Sequence, residues 1–213
     1  MLIALAVLAG QAAWAGDTSA RLGRVTLTLK WYHQFQFAGY YAADIKGFYR
    51  EAGLDVGIIE GSPEKLPIES VLNGKTDFAV SDADVLMRYL EGAPLVALAA
   101  VFQHSPYILM SMKDRNIRFP SDLADKTLMM ANDQGGFQFK VMLLYEGIPN
   151  DKIHLVPHSW NLNDLITGKV DAVSAYATSE PFIMKRMGYE ISAMTAAEYG
   201  IDYYGDVLFT DRQ

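Results

Sequence analysis

The stretch that decides the fold is residues 25–59, "VTLTLKWYHQFQFAGYYAADIKGFYREAGLDVGII". In its first seven residues, Val, Leu and Trp alternate with Thr and Lys, and this period of two predicts a β-strand. Apolar residues then recur at three- and four-residue spacing from Ala38 to Glu51, which predicts one helix closed by Gly53. Segment 54–59 predicts a second strand. A strand, a helix and a strand in this order are typical of a parallel sheet.

The same α/β alternation continues to the end of the chain. Further strands are predicted at 77–80, 95–102, 107–112, 127–131, 153–157, 171–176, 189–194 and within 205–213, and helices at 68–74, 81–92, 135–147, 162–168 and 179–188. The fully apolar run 95–102 favours a central strand. The passages that begin at Leu72 and Leu165 share a short helix, a Gly-Lys-x-Asp turn, a strand and a helix. This similarity is either chance or the mark of two lobes built on one plan, with a cleft between them.

Composition excludes several classes of function. Of 213 residues, 51% are hydrophobic and 20% are charged, which is typical of a globular protein. The net charge of −7 and the lack of any basic tract argue against a nucleic-acid partner. With no cysteine, the chain has no disulfide, no thiolate nucleophile and no thiolate metal ligand. His154 and His158 are four apart, but Pro157 argues against a helical metal pair. We therefore expect neither a metal nor a cofactor.

The N-terminal residues 1–15, "MLIALAVLAGQAAWA", predict a signal peptide, with small residues before a cut after Ala15. The run is too short for a membrane span, which needs about 20 residues. No Lys or Arg precedes it, so the alternative interpretation is a buried N-terminal helix. A signal peptide implies a periplasmic protein.

Candidate ligand-binding residues follow from the rule that open α/β sheets bind ligands beyond the carboxyl ends of their strands. The residues so placed are rings, hydroxyls, an amide and two carboxylates: Trp31, Tyr32, His33, Phe35, Ser81, Asp82, Gln103, Tyr176, Thr178 and Glu180. This set suits a flat, polar, hydrogen-bonding molecule.

Some of these residues also have a purely structural interpretation. Ser81 or Asp82 could serve as a helix N-cap, and Glu180 before Pro181 suits the first turn of a helix. Trp31 could belong to the core, so we expect Tyr32 and Phe35 to face the cleft more than Trp31 does. Tyr41 and Phe48 fit the buried stripe of the first helix.

Five passages resemble bacterial periplasmic solute-binding domains of the thiamine-pyrimidine-precursor type. They are "LKWYHQFQFAGYYAADIKGFYREAGLDV", "DFAVSDADVL", "VFQHSPYILM", "LVPHSWNLNDLITGKVDAVSAYATSEPF" and "YGIDYYGDVLFT". The resemblance runs from Val25 to Thr210. It implies a type II periplasmic binding protein: an α/β fold of two lobes that binds a small heteroaromatic ligand. It also implies a partner, either the permease of an ABC importer or a fused histidine kinase or diguanylate cyclase.

The family also contains a pyrimidine synthase, which gives the alternative function. That enzyme carries a lysine, and a histidine four residues later, at the places that Ser81 and Val85 hold here, and it has a cysteine cluster that this chain lacks. The residues therefore favour a receptor over an enzyme. The resemblance further implies a first lobe of residues 25–102 plus 195–213 and a second lobe of 103–194. Family domains continue past "VLFT", so we expect a C-terminally truncated domain whose first lobe exposes apolar surface.

Overall fold

The computed structural model describes residues 22–131 and 134–212. The predicted signal peptide lies outside the described residues. The ten strands are β1 (Gly23–Thr28), β2 (Leu54–Ile59), β3 (Phe78–Ser81), β4 (Leu95–Phe102), β5 (Tyr107–Met112), β6 (Thr127–Met130), β7 (His154–Pro157), β8 (Ala172–Tyr176), β9 (Ile191–Met194) and β10 (Gly205–Asp211). The α-helices are α1 (Ala38–Ile45), α2 (Phe48–Glu51), α3 (Pro67–Leu72), α4 (Asp84–Leu90), α5 (Gln134–Tyr145), α6 (Asn163–Ile166) and α7 (Glu180–Arg186).

The strands form two five-stranded sheets, which confirms the two-lobed α/β fold. The first sheet has the order β2-β1-β3-β10-β4 and the second has the order β7-β6-β8-β5-β9. In each sheet, three neighbouring strands pair in parallel: β2, β1 and β3 in the first, and β7, β6 and β8 in the second. In the first sheet β10 pairs antiparallel with β3 and β4, and in the second β5 pairs antiparallel with β8 and β9. The predicted βαβ unit is confirmed, because β1 and β2 pair in parallel along their whole length.

The chain passes between the sheets twice. Residues 103–106 lead from β4 to β5, and residues 195–204 lead from β9 back to β10. We call the first sheet with its helices the first lobe, and the second sheet with its helices the second lobe. The predicted boundaries at residues 102/103 and 194/195 stay predictions.

The first helix differs from its prediction. A single helix was expected over 38–51, but α1 ends at Ile45 and α2 starts at Phe48, because Gly47 adopts a left-handed conformation with φ of 81°. The break turns Phe48 outward, so its ring is 54% exposed. The assignment of Phe48 to the core was therefore wrong, whereas Tyr41 packs partly buried against Leu27, Leu29 and Phe37.

Strand β4 is an edge strand, not the central strand that its apolar sequence predicted. In the sheet, β10 returns from the second lobe and inserts between β3 and β4, and β4 pairs with β10 on one side and with no strand of the described residues on the other. Leu98 and Val101 are consequently about half exposed, at 50% and 49%. A run of apolar residues predicts a strand but does not reveal which strands lie beside it.

Candidate ligand-binding cleft

A cleft of about 320 Å³ lies between the two lobes, where the carboxyl ends of their parallel strands meet. Five of the ten predicted site residues line it: Trp31, Ser81, Asp82, Tyr176 and Glu180. Residues that the sequence did not single out line it as well, notably Lys30, Asp84, Tyr107, His158 and Trp160. The cleft thus has a polar floor and an aromatic mouth.

The other five predicted residues lie outside the lining of this cleft. Phe35 is 85% exposed and Tyr32 is 47% exposed, contrary to the expectation that these two rings face the cleft rather than Trp31. The physical reason is the short 3₁₀ helix Phe35–Phe37, which buries Phe37 completely and leaves Phe35 pointing outward.

Three polar candidates are also directed away from the cleft. The backbone N–H of His33 donates to Glu60 at 2.7 Å, and its ring hydrogen-bonds the Tyr41 hydroxyl. Gln103 donates to the carbonyl of Ala100 at 2.6 Å, within its own segment of the chain. Thr178 is exposed beyond the end of β8.

The mouth of the cleft consists of rings from both lobes. Trp31, from the first lobe, meets Trp160, from the second, with ring centroids 4.7 Å apart and planes tilted by 54°. His158 stacks on Trp160 at 4.1 Å and 26°. Gly61 lets the neighbouring loop approach Trp31, because a Cβ there would lie 2.1 Å from the carbonyl oxygen of Leu29. A ring-shaped ligand entering between the lobes would meet these faces first.

The floor of the cleft is built around the ammonium of Lys30, whose side chain is only 10% exposed. Its Nζ donates to Asp82 Oδ1, lies 2.9 Å from Asp206 Oδ1, and donates to the Tyr176 hydroxyl at 3.1 Å. The Tyr176 hydroxyl in turn donates to Asp206 Oδ1 at 2.8 Å, and the Tyr107 hydroxyl donates to Asp82 Oδ2 at 3.2 Å. We call these five residues the Lys30 cluster.

The carboxylates decide the charge state of this lysine. Burial lowers the pKa of Lys30, but the attraction of Asp82, of the Tyr107 and Tyr176 hydroxyls and of Asp206 outweighs burial and raises it well above the usual value. Lys30 is therefore an ammonium whose charge is balanced within the protein. Burial also raises the pKa of the Tyr176 hydroxyl, which stays protonated.

Asp84 adds a further carboxyl group to the floor. Burial, and then the charge of Asp82, raise its pKa to about 6, against the donated hydrogen bond from Ser81 at 2.9 Å. The interpretation of Ser81 or Asp82 as an N-cap is wrong: the N-cap of α4 is Ala83, without a side-chain bond, because both polar side chains are engaged elsewhere.

Glu180 occupies the first turn of α7 and also lines the cleft. Its Oε2 accepts a hydrogen bond from the backbone N–H of Tyr176 at 2.8 Å. This bond ties the start of the helix to the end of β8 and fixes the position of the carboxylate. Glu180 therefore combines the structural role that its position suggested with a place at the cleft.

Two residues, Trp160 of the cleft lining and Asp206 of the Lys30 cluster, hold strained backbone conformations. Trp160 and Asp206 have φ of 58° and 46°, in the left-handed region that residues other than glycine rarely adopt. Such conformations cost about 1–3 kcal/mol each and persist where the surroundings determine them strongly, often at functional sites. Gly135 leaves room for the ring of Tyr107 at the floor, since a Cβ at this position would lie 2.2 Å from that ring.

The residues that sequence reasoning missed follow a pattern. Asp206 and Tyr107 stand at the beginnings of β10 and β5, which run antiparallel to their neighbours and therefore start where the parallel strands end. A search restricted to carboxyl ends passes over them. Lys30 and Trp160 could have been found by their position, since each is adjacent in sequence to a polar or aromatic residue of the motifs already noted.

Within the described residues 22–131 and 134–212, the side chains of His, Asp and Glu form no group of three that could hold a metal ion. In the same part of the chain, no helix has the length and hydrophobicity needed to cross a membrane.

The fold and the interlobe cleft define the class: this is a two-lobed protein of the type II periplasmic binding protein fold. The aliphatic sulphonate binding protein SsuA of Escherichia coli superimposes with a TM-score of 0.64 at 13% identity, over 89% of this chain and 65% of that one. The NMT1/THI5-like family model matches residues 34–213. The chain belongs to the NMT1/THI5-like family.

Three curated proteins are similar to this chain. A formylaminopyrimidine-binding protein of Halalkalibacterium halodurans is 26% identical over all of this chain and 66% of its own length. A putative thiamine biosynthesis protein of Haemophilus influenzae is 28% identical over 87% of this chain and 60% of its own length. The riboflavin-binding protein RibY of Chloroflexus aurantiacus is 25% identical over 88% and 55%. The chain thus spans 55–66% of the length of these relatives.

Proposed function

We propose that this protein is an extracytoplasmic solute-binding receptor for a small amino-substituted heteroaromatic molecule, of the kind represented by thiamine pyrimidine precursors. The observation that carries the proposal is an aromatic mouth placed over a floor rich in carboxylates, in one cleft between two lobes. The relatives that are named as binding proteins for formylaminopyrimidine and riboflavin, both nitrogen-containing rings, support the same class.

The mouth provides affinity for a flat ring. Trp31, His158 and Trp160 present faces from both lobes, so a ring held there is contacted by each lobe when the cleft is closed. Offset stacking is worth about 0.5–1.5 kcal/mol per ring pair beyond the buried area. Stacking accepts many flat molecules, however, and the polar groups must choose among them.

The floor provides the selection. The charge of Lys30 is balanced by Asp82 and Asp206, and both oxygens of Asp82 already accept hydrogen bonds, from Lys30 and Tyr107. Asp84 and Glu180 line the cleft outside this cluster. A ligand that brings N–H donors satisfies these oxygens, while an anion would lose hydration and face carboxylates. The likeness of the fold to sulphonate-binding proteins therefore does not extend, in this proposal, to an anionic ligand.

The size of the cleft agrees with a small ligand. At about 320 Å³ it stands near the lower end of the range for small-molecule sites, which is about 300–1,000 Å³. One heteroaromatic ring with short substituents suits this volume better than a large cofactor.

The alternative class is a pyrimidine synthase-like enzyme. A lysine that attacks a carbonyl group must lose its proton, and the carboxylates around Lys30 oppose that loss. Ser81 and Val85 offer neither an amine nor an imidazole at the places the synthase uses. The chemistry of the cleft thus favours binding over turnover.

Isothermal titration of the protein with formylaminopyrimidine tests the proposal, with ethanesulfonate as the anionic control. We expect saturable binding of the pyrimidine and none of the sulfonate, with the pyrimidine recovered unchanged by mass spectrometry. Binding of the sulfonate instead would refute the acidic-cleft argument. A modified pyrimidine after incubation with iron and pyridoxal phosphate would favour the enzyme.

The proposed partner of the receptor depends on its proposed location outside the cytoplasm. We propose a periplasmic protein that delivers its ligand to the permease of an ABC importer, with fusion to a histidine kinase or diguanylate cyclase as the alternative. The genes that flank this one distinguish the two: a permease and an ATPase would support the importer, and a kinase or cyclase region in the same reading frame would support the sensor.

A further inference from the structure

We propose that Lys30 is a positioning residue that joins the two lobes at the floor of the cleft, by placing its ammonium in a cage of oxygens that both lobes supply. The inference goes beyond the proposed function, because it concerns the protein without ligand. It holds or fails independently of which molecule the cleft binds.

The cage around Lys30 Nζ fits an ammonium. An ammonium has three N–H donors, and three oxygens surround Lys30 Nζ: it donates to Asp82 Oδ1 and to the Tyr176 hydroxyl, and it forms an ion pair with Asp206 Oδ1 at 2.9 Å. The rings of Tyr176 and Tyr107 also lie 4.7 and 5.4 Å from Nζ, within the range of cation–π attraction. Charge, donor number and surroundings all match a primary ammonium.

The oxygens of the cage come from both lobes. Lys30, Asp82 and Asp206 belong to the first lobe, so the ammonium is paired with two carboxylates of its own lobe, and the three charges sum to −1. The second lobe contributes two neutral hydroxyls, those of Tyr107 and Tyr176. When the lobes separate, the charges stay paired within one lobe and only the hydroxyls have to be rehydrated. The hydrogen bonds of the two hydroxyls therefore orient the lobes, and separating the lobes costs the free energy of these bonds without separating the charges.

The hydrogen-bond network around Asp82 and Asp206 is complete. Each oxygen of Asp82 and Asp206 accepts at least one hydrogen bond, because Gln36 Nε2 also donates to Asp206 Oδ1 and Oδ2 at 3.1 and 3.0 Å. Removing the ammonium would leave two carboxylates close together with no counter-ion. These would repel each other and displace the Tyr176 hydroxyl that bridges Lys30 and Asp206.

Spin labels report the arrangement of the lobes directly. The chain has no cysteine, so Glu51→Cys on α2 and Lys185→Cys on α7, both exposed, give one label on each lobe. Pulsed electron paramagnetic resonance then measures the interlobe distance distribution of the ligand-free protein. We expect Lys30→Ala to raise the ratio of separated to closed lobes about tenfold or more, since charge-assisted hydrogen bonds are lost.

Chemical rescue separates positioning from a general loss of structure. n-Propylammonium replaces the atoms that Lys30→Ala removes, and we expect it to restore the wild-type distance distribution. Tetramethylammonium at the same concentration carries the charge without N–H donors, and should not. Lys30→Met, which fills the space with an uncharged chain, should resist rescue. A wild-type distribution in Lys30→Ala, or equal effects of the two ammonium ions, would overturn the proposal.

Tyr176→Phe keeps the inference testable if Lys30→Ala does not fold. This change retains the ring and removes one of the two hydroxyls that connect the lobes, the one bonded to Lys30 and Asp206. We expect the same shift toward separated lobes, with the charges of the first lobe still paired. An unchanged distance distribution in this variant, with the protein folded, would likewise contradict the role assigned to the cluster.

Discussion

The floor of the cleft consists of buried charged groups, whereas its mouth consists of partly exposed aromatic rings. At the floor, the Lys30 cluster is buried, charged and hydrogen-bonded within the protein, with the side chain of Asp206 only 1% exposed. At the mouth, Trp160 is 50% exposed, its ring contacts those of Trp31 and His158, and its backbone N–H donates to His158 Nδ1 at 2.9 Å. The floor is thus completed by the protein itself, whereas the mouth leaves surface for another molecule to cover.

This difference teaches which property each region controls. Changing a buried charge leaves its partners unpaired and reduces the stability of the fold. Changing an exposed ring removes contact area from a ligand but little from the core. Variants of the Lys30 cluster should therefore alter mainly the free energy of unfolding, and variants of the rings at the mouth should alter mainly the affinity for a ligand.

The largest expected effect is that of Asp206→Ala at the floor. This change leaves Lys30, Tyr176 and Gln36 without their shared acceptor, so we expect a loss of about 3–5 kcal/mol in the free energy of unfolding. Urea denaturation measures it. The matched control is Asp202→Ala, whose partner His104 is an exposed ring, and which should cost about 1 kcal/mol or less. Equal losses in the two variants would remove the contrast between buried and exposed charges.

A smaller effect should appear as a pH dependence at Asp84. Its pKa of about 6 in the folded protein is raised above the usual 3.8, so its contribution to stability is full below pH 3.8 and is lost as pH rises through 6. Asp84→Asn removes this dependence. Relative to wild type, the variant should therefore gain about 1 kcal/mol between pH 5 and pH 7.5 in urea denaturation.

Asp77→Asn provides the control of opposite sign. Hydrogen bonds from Thr26 lower the pKa of Asp77, so its stabilising contribution is present at neutral pH and is lost only in acid. This variant should be destabilised at pH 7.5, and its difference from wild type should shrink as pH falls below 3.8. A parallel pH profile for Asp84→Asn and wild type would mean that Asp84 does not titrate in this range.

The mouth gives the smallest change. Trp160→Ala removes one stacking face, so we expect the affinity for an aminopyrimidine to fall about twofold to tenfold, with the midpoint of urea unfolding nearly unchanged. Phe35→Ala is the control, because this ring is 85% exposed and lies outside the cleft. Calorimetry measures both. If Phe35→Ala weakens binding as much as Trp160→Ala does, the ligand-contacting rings have been assigned to the wrong side of the 3₁₀ helix.

The sequence predicted the fold better than the site. Periodicity identified β1, the following helical region and β2, because side-chain alternation is a local property of each element. It failed for β4, whose pairing partner β10 comes more than a hundred residues later in the chain and whose other side has no strand of the described residues. The outward orientation of Phe35 was not predicted either, because one short 3₁₀ turn determines which ring is buried.

The floor of the site needed the tertiary structure. Lys30, Asp82 and Asp206 come from three strands or strand ends of one sheet, and the two tyrosines come from the other lobe. Strand ends predicted Asp82 and Tyr176, because a parallel strand brings its last residues to the cleft. The antiparallel strands bring their first residues instead, and sequence alone does not state the direction in which a strand pairs.

The most direct test of the central claim couples one carboxylate of the cleft to one amino group of the ligand. An aminopyrimidine and the same ring with hydrogen in place of the amino group are titrated into wild type and into Glu180→Gln, which keeps an acceptor for the Tyr176 N–H. We predict that wild type prefers the amino compound about tenfold or more, since hydrogen bonds to charged groups are worth about 1.5–3 kcal/mol, and that the variant loses most of this preference. An equal preference in both proteins would contradict the account.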